Sequence, residues 1–182
     1  MKTLLAVTLV LTASIDAHDL PSFELVNYDG RIVTSASFEG KTTIVVPTYA
    51  RCIFACPLIT FLLTALDKKL GAPENLQYLH VSIQPEEDTA KEILSHFDDH
   101  EIDAAHDRRW LFVNGPEAGI RQFLDQTGIK ITRTPKDGGV VIEHTIRVWV
   151  VGPDGRTVTT FDTYFWSNKE MQDAIHASLD RS

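Results

Sequence analysis

The sequence predicts an α/β fold in which a mixed central sheet is flanked by helices. Short apolar segments rich in β-branched residues alternate with longer segments of helical periodicity. The chain begins with a predicted β-hairpin, and it ends with a predicted antiparallel strand pair and one more amphipathic helix. Strands that alternate with helices pair in parallel, whereas hairpins add antiparallel strands, so the sheet is expected to be mixed.

The N-terminal hairpin is predicted from two short strands at residues 23–26 and 31–34, which flank a turn at 27–30 that ends in Gly30. A second turn follows at 38–41. Residues 42–49 are apolar on both faces as far as Pro47, which is typical of a buried central strand with proline near its end. This strand leads directly to Cys52.

The remaining elements alternate along the chain. Further strands are predicted at 76–83, 110–113, 140–151 and 156–161, and a mobile loop at 133–139. Helices are predicted from Cys56 to about Leu70, after a capping sequence at 89–92, at about 116–127, and after a capping sequence at 167–170. The second helix is expected to place Ile93, Leu94 and Phe97 on its apolar face.

Composition limits the class of protein. The chain has 182 residues, 43% of them hydrophobic, so it can bury one substantial core, and we expect a single domain over residues 18–182. The net charge of −8 argues against a nucleic-acid partner, because phosphates bind clustered Lys and Arg side chains. We find no internal repeats or low-complexity segments.

Residues 1–17 are predicted to be a secretory signal peptide. Lys2 supplies a positive start, residues 4–12 are apolar, and residues 13–17 offer small residues for cleavage. The apolar run is about ten residues, well short of the roughly 20 that a membrane-spanning helix needs. We therefore expect an exported, periplasmic protein without a stable membrane span, although an uncleaved N-terminal anchor is an alternative.

The two cysteines, Cys52 and Cys56, are too close for a bridge that stabilises the fold, because short loops contribute little chain entropy. A helix that begins near Cys52 would place both sulfurs on one face, and its N-terminus would lower the pKa of the thiols. Two thiolates suit a soft metal ion such as Cu(I), or thiol–disulfide exchange. The spacing alone leaves a redox or disulfide pair as open as a metal site.

Histidines are the candidates for a third ligand. His144 follows the glycine-containing loop at the edge of a strand, where a ligand could open and close on an ion. His18 would stand beside the amine that cleavage after Ala17 exposes, and the two groups would form a Cu(II) chelate. The other five are expected to be surface or hydrogen-bonded core histidines: His80, His96, His100, His106 and His176.

Several motifs, in this order, resemble the Sco/SenC proteins, which are thioredoxin-like copper proteins that assemble the binuclear copper centre of cytochrome c oxidase. The likeness covers nearly the whole chain after the predicted leader. The matching stretches are 23–30, 38–41, 49–57 with both cysteines, 81–89, 142–145 and 151–155. Three positions depart from the family pattern without removing a ligand, namely Ile53, Ala90 and Glu143.

The resemblance implies a thioredoxin-like fold and a copper ion, as Cu(I) or Cu(II), held by Cys52, Cys56 and His144. It also implies a partner, which would be the copper-receiving subunit of cytochrome c oxidase or another periplasmic copper protein. The alternative function is a thiol–disulfide oxidoreductase that uses Cys52 and Cys56 on copper-site cysteines. A peroxiredoxin-type peroxidase is disfavoured, because Tyr49 stands where such a site needs Thr or Ser. An interaction module with an inactive site is the remaining alternative.

Overall fold

The computed structural model describes residues 20–179. The predicted signal peptide at residues 1–17 and His18 lie outside the described residues. No helix between residues 20 and 179 is both long enough and apolar enough to cross a membrane.

Nine strands, four α-helices and one short 3₁₀ helix (Ser35–Phe38) make up the regular elements of the described part of the chain. The strands are β1 (Glu24–Asn27), β2 (Ile32–Thr34), β3 (Thr42–Thr48), β4 (Leu76–Ser82), β5 (Trp110–Gly115), β6 (Ile131–Lys136), β7 (Gly139–His144), β8 (Val148–Val151) and β9 (Thr157–Phe161). The helices are α1 (Ala55–Leu70), α2 (Ala90–Asp99), α3 (Glu117–Gln126) and α4 (Asn168–Leu179).

Seven of the strands form one mixed sheet in the order β2-β1-β5-β4-β3-β8-β9. The central strands β3, β4 and β5 are parallel, and the strands on either side are antiparallel to their neighbours. Every position of β3 and β4 is buried, as expected of strands that are covered on both faces. The predicted α/β class, the mixed sheet and the N-terminal hairpin β1–β2 are confirmed.

The core has one cluster on each face of this sheet. Helices α1, α2 and α4 cover the first face with buried apolar residues such as Leu63, Phe97 and Ile175. Helix α3 covers the second face with Ile120 and Phe123. The prediction for Leu94 was wrong: its side chain is 46% exposed, because α2 turns only Ile93 and Phe97 of the predicted set toward the sheet.

Helix ends follow the sequence signals. Gly71 ends α1 at a positive φ of 76°, and its N–H bonds to the carbonyls of Asp67 and Lys68. The hydroxyl of Thr89 accepts a bond from the N–H of Glu92 and so caps α2. Ser167 and Glu170 exchange bonds at the start of α4, as the capping box predicts.

The segment after α3 differs from the prediction. The mobile loop predicted at 133–139 is wrong, because those residues belong to the end of β6, a tight turn and the first residue of β7, which pairs with β6 in a separate two-stranded sheet. Asp137 and Gly138 form the two-residue turn, and Gly138 has a φ of 98°. The single strand predicted at 140–151 is likewise divided, since β7 ends at His144 and β8 begins at Val148.

Candidate metal centre

The two cysteines lie beyond the carboxyl end of β3, at the edge of the sheet where the sequence predicted them. A turn follows the strand, in which the N–H of Cys52 bonds to the carbonyl of Tyr49 at 3.2 Å. Helix α1 begins only at Ala55, so Cys52 precedes the helix and the expectation of a shared helical face was wrong. The turn, not the helix period, brings the sulfur of Cys52 next to that of Cys56.

Cys52 is the more acidic thiol of the pair. Its pKa is lowered from 9.0 to about 5, chiefly because the thiol of Cys56 donates a hydrogen bond to its sulfur. Burial opposes this shift, whereas the N–H groups of Phe54 and Cys56 and the hydroxyl of Tyr49 stabilise the thiolate further. These amides stand at the start of α1, where backbone N–H groups favour an anion. Cys52 is therefore a thiolate at neutral pH.

Cys56 is held in the opposite state. Its side chain is 1% exposed, and its pKa is raised because it donates the hydrogen bond to Cys52 and because burial disfavours its charged form. The hydroxyl of Thr48 and the backbone of Tyr49 partly offset this shift. Both cysteines are free, so the pair consists of one partly accessible thiolate and one buried thiol.

His144 is the last residue of β7. Its Nδ1 lies 2.9 Å from the carbonyl oxygen of Thr145, and because a carbonyl only accepts, Nδ1 carries the proton. The lone pair of the neutral ring is then on Nε2, as a metal ligand requires. Burial lowers the pKa of His144 and keeps the ring neutral, although Thr145 and the nearby Cys52 oppose that shift.

One cleft contains both Cys52 and His144. It has a volume of about 440 Å³, and its walls are mostly apolar, from Ile53 and Phe54 on the cysteine side to Val140 and Val141 on the β7 side. Ile53 and Phe54 are 95% and 74% exposed. No three His, Cys, Asp or Glu side chains between residues 20 and 179 converge closely enough to hold a metal ion. The structure thus brings Cys52 and His144 to one cleft, with the buried Cys56 next to Cys52, without joining the three in a finished coordination site.

Two residues that support the cysteines were not predicted from the sequence. Tyr49 donates to the Cys52 sulfur, and its own pKa is raised by burial and by the neighbouring cysteines. Asp88 is 2% exposed and accepts bonds from the Ala50 N–H at 2.8 Å and from the Ser82 hydroxyl at 2.5 Å. In the sequence, only the position of Tyr49, between a predicted strand and the cysteines, could have indicated that it supports them.

Comparison with known proteins decides the family. The SCO1/SenC family model matches residues 13–180. The chain belongs to the SCO1/SenC family. The SCO1 protein homolog of Bacillus subtilis (strain 168) is 25% identical over 147 residues, which cover 80% of this chain and 74% of that protein.

Solved structures agree with this assignment. Bradyrhizobium japonicum ScoI with copper bound is 25% identical, with a TM-score of 0.65 over 88% of this chain and 97% of that one. BsSco, a member of the Sco family of cytochrome c oxidase assembly proteins with a disulfide switch, is 22% identical, with a TM-score of 0.72 over 91% and 96% of the two chains. This SCO1/SenC chain therefore has the thioredoxin-like Sco fold that the resemblance implied.

The five other histidines between residues 20 and 179 of this SCO1/SenC chain do not line the cleft, and their interpretation needs one correction. His106 and His176 are exposed as expected. His96 is buried and pairs with the Thr60 hydroxyl at 3.1 Å, and His100 faces the carbonyls of His96 and Pro57. His80 is fully buried but is not hydrogen-bonded, since neither ring nitrogen has a partner.

Proposed function

We propose that this protein is an exported copper metallochaperone whose ligands are Cys52, Cys56 and His144. The observation that carries the proposal is the cleft that the Cys52 thiolate and the neutral His144 imidazole share, with the buried thiol of Cys56 hydrogen-bonded to Cys52. Two sulfurs and one nitrogen form a soft donor set that fits Cu(I), and that accepts Cu(II) with a weak additional donor. Copper bound to the related ScoI supports the same choice.

The three residues would bind the ion in different ways. Cys52 offers a thiolate at neutral pH, whereas Cys56 must give up its proton as it binds, so copper uptake releases protons. His144 offers Nε2 while Thr145 holds its Nδ1 proton. Because His144 belongs to the separate sheet β6–β7, a shift of that hairpin would complete the site.

Delivery is the proposed use of such a site. We propose that the acceptor is the copper-receiving subunit of cytochrome c oxidase or another periplasmic copper protein. The cytochrome c oxidase assembly role of the Sco family to which BsSco belongs supports this acceptor. The leader at residues 1–17, which lies outside the described residues, would carry the chain to the compartment where that acceptor is found.

The test is copper stoichiometry, affinity and visible absorption of the reduced protein beside its His144→Ala variant. We expect one copper per chain and a thiolate-to-Cu(II) charge-transfer band. Loss of His144 should weaken binding by about a hundredfold or more, because even groups that only support a ligand change affinity by roughly 10- to 100-fold. The exposed His176→Ala is the matched control. Equal affinity of the His144→Ala variant and the unmodified protein would end the three-ligand proposal.

Thiol–disulfide exchange is the second candidate, and the unequal cysteines favour it. The Cys52 thiolate would attack a disulfide of the substrate, forming a mixed disulfide and releasing one substrate thiolate. Cys56, on losing its proton, would then attack Cys52, which closes the internal disulfide and releases the second substrate thiol. This reaction needs no imidazole, so reduction of a disulfide-bonded peptide should persist in His144→Ala and disappear in Cys52→Ser.

A further inference from the structure

The two halves of the proposed site belong to different sheets. The cysteines follow β3 in the middle of the seven-stranded sheet, whereas His144 ends β7 in the two-stranded sheet. Ladder hydrogen bonds therefore do not set the distance between His144 and the sulfurs. Ile131 and Ile142 pack against the second core cluster, but apolar contacts are not directional and define a position less sharply than hydrogen bonds do. Directional contacts must come from polar groups.

Arg133 supplies such a contact on the histidine side. It lies in β6 opposite Ile142, two residues before His144 along β7. Its Nη2 donates to the carbonyl oxygen of Ile83 at 3.2 Å and lies 3.6 Å from Oε1 of Glu86. Both acceptors belong to the loop at 83–89, which connects β4 to α2. Arg133 thus attaches the hairpin to this loop.

Asp88 makes the corresponding contact on the cysteine side, from the same loop. Its carboxylate accepts from Ala50, two residues before Cys52, and from Ser82 at the end of β4. Its backbone carbonyl accepts from the side chain of Asn114 in β5 at 2.8 Å. One buried residue therefore ties the ends of three parallel strands to the turn that carries Cys52.

We propose that the 83–89 loop sets the position of His144 relative to the cysteines, with Arg133 and Asp88 as its two positioning residues. This inference rests on the three-ligand function proposed above. Neither residue touches the ion. Arg133 acts only through His144, because it lies in β6, which pairs with the strand that ends at His144. Asp88 acts through the turn at Cys52, and so it affects both sulfurs whether or not His144 is present.

The difference between the two residues gives a sharp test by double-mutant cycles for copper affinity. Arg133→Ala should weaken copper binding by about 10-fold or more in the protein with His144, and should have no effect in the His144→Ala background. Asp88→Ala should weaken binding in both backgrounds. Asp88→Asn should recover most of the loss, because an amide can still accept from Ala50 and pair with Ser82.

Two controls separate positioning from general damage. Lys136→Ala removes a cation from the same hairpin and should leave copper affinity unchanged, whereas Arg133→Lys, which keeps the cation facing Glu86, should recover part of the loss. In the metal-free protein, Arg133→Ala should speed amide hydrogen exchange in β6 and β7 and leave β3 and β4 as protected as before.

Each outcome bears on one of the two proposals. If His144→Ala binds copper normally, the three-ligand function fails. If His144→Ala is weakened but Arg133→Ala is not, or if the Arg133 effect persists without His144, the function stands and the positioning role of Arg133 is wrong. Partial recovery of both hairpin protection and copper affinity in Arg133→Lys supports the loop as the connection between the two halves.

Discussion

The imidazole of His80 stands nearly edge-on to that of His96, with 5.9 Å between the ring centroids, in the core beneath α1 and α2. His80 also stacks on Phe112 at 5.7 Å. Its two nitrogens have no hydrogen-bond partner, and a buried polar group without a partner costs about 1–3 kcal/mol. His80 is therefore an energetically unfavourable residue at a fully buried position.

Replacing His80 by Leu should leave the free energy of unfolding at pH 7 unchanged within about 1 kcal/mol, or raise it, because the unpaired nitrogens disappear while the volume is nearly kept. Urea unfolding followed by circular dichroism measures this, with His176→Gln as a control for loss of a surface histidine. A loss of several kcal/mol in His80→Leu would show that the ring nitrogens are stabilised in the folded protein.

The same variant should alter the response to acid. Burial and the neighbouring His96 and His100 hold the pKa of His80 well below 6.5, so the unfolded chain binds a proton that the folded chain does not. Proton binding by the unfolded chain therefore lowers the free energy of unfolding as the pH falls below 6.5, by up to about 1.4 kcal/mol per pH unit. His80→Leu should show a shallower decline between pH 6.5 and 4.5, and parallel curves would contradict the assignment.

Cys52 should titrate near pH 5 in the reduced protein. Because its pKa is lower in the folded than in the unfolded chain, the reduced form should gain stability as the pH rises from about 5 to 9, and lose it on acidification through about 5. Tyr49→Phe removes a donor to the thiolate and should raise the midpoint. Thiolate ultraviolet absorbance against pH checks both, with Tyr164→Phe as the control.

Alkylation should distinguish the two sulfurs. A brief exposure of the reduced protein to iodoacetamide at neutral pH should label Cys52 alone, because Cys56 is protonated and buried. Peptide mass spectrometry locates the adduct. Cys52→Ser should react far more slowly than the unmodified protein, and equal labelling of both cysteines would refute the assigned states.

Asp67 should be important for stability. Its carboxylate binds Arg109 through two bonds of 2.6 and 2.9 Å and accepts from the Tyr78 hydroxyl at 3.0 Å. Asp67→Ala leaves a largely buried guanidinium without this partner, so we expect a loss of about 3 kcal/mol in urea unfolding. Glu117→Ala breaks the exposed pair with Arg121 and should have little effect.

The main sheet and the position of the cysteines could be predicted because local signals agreed with the final structure. Six of the seven residues at 42–48 are β-branched and none is charged, a pattern that suits a strand buried on both faces. Gly71 and Thr89 end and begin helices through local hydrogen bonds, so their roles need no distant partner. The position of Cys52 could be predicted as well, because it follows directly from the end of β3.

The hairpin β6–β7 and the supporting residues could not be predicted in this way. Pro135, Gly139 and the charged residues between them disfavour a strand, and the pairing is stabilised by Ile131 and Ile142 against a distant core. In the sequence Asp88 looks like its acidic neighbours at 86 and 87. Only the folded chain, which brings the ends of several strands to Asp88, shows that this carboxylate is the one with a supporting role. The ligand roles of Cys52, Cys56 and His144 stay predictions.

The unequal burial of the two cysteines has a consequence for the order of ligand exchange. An incoming donor can approach an ion held by the proposed ligands only from the cleft, where Cys52 and His144 are reached first. Exchange would therefore begin at those two bonds, while the sulfur of Cys56 keeps its hold behind the start of α1. The bond to Cys56 would be the last to break, so the ion would never leave the protein before the acceptor has bound it.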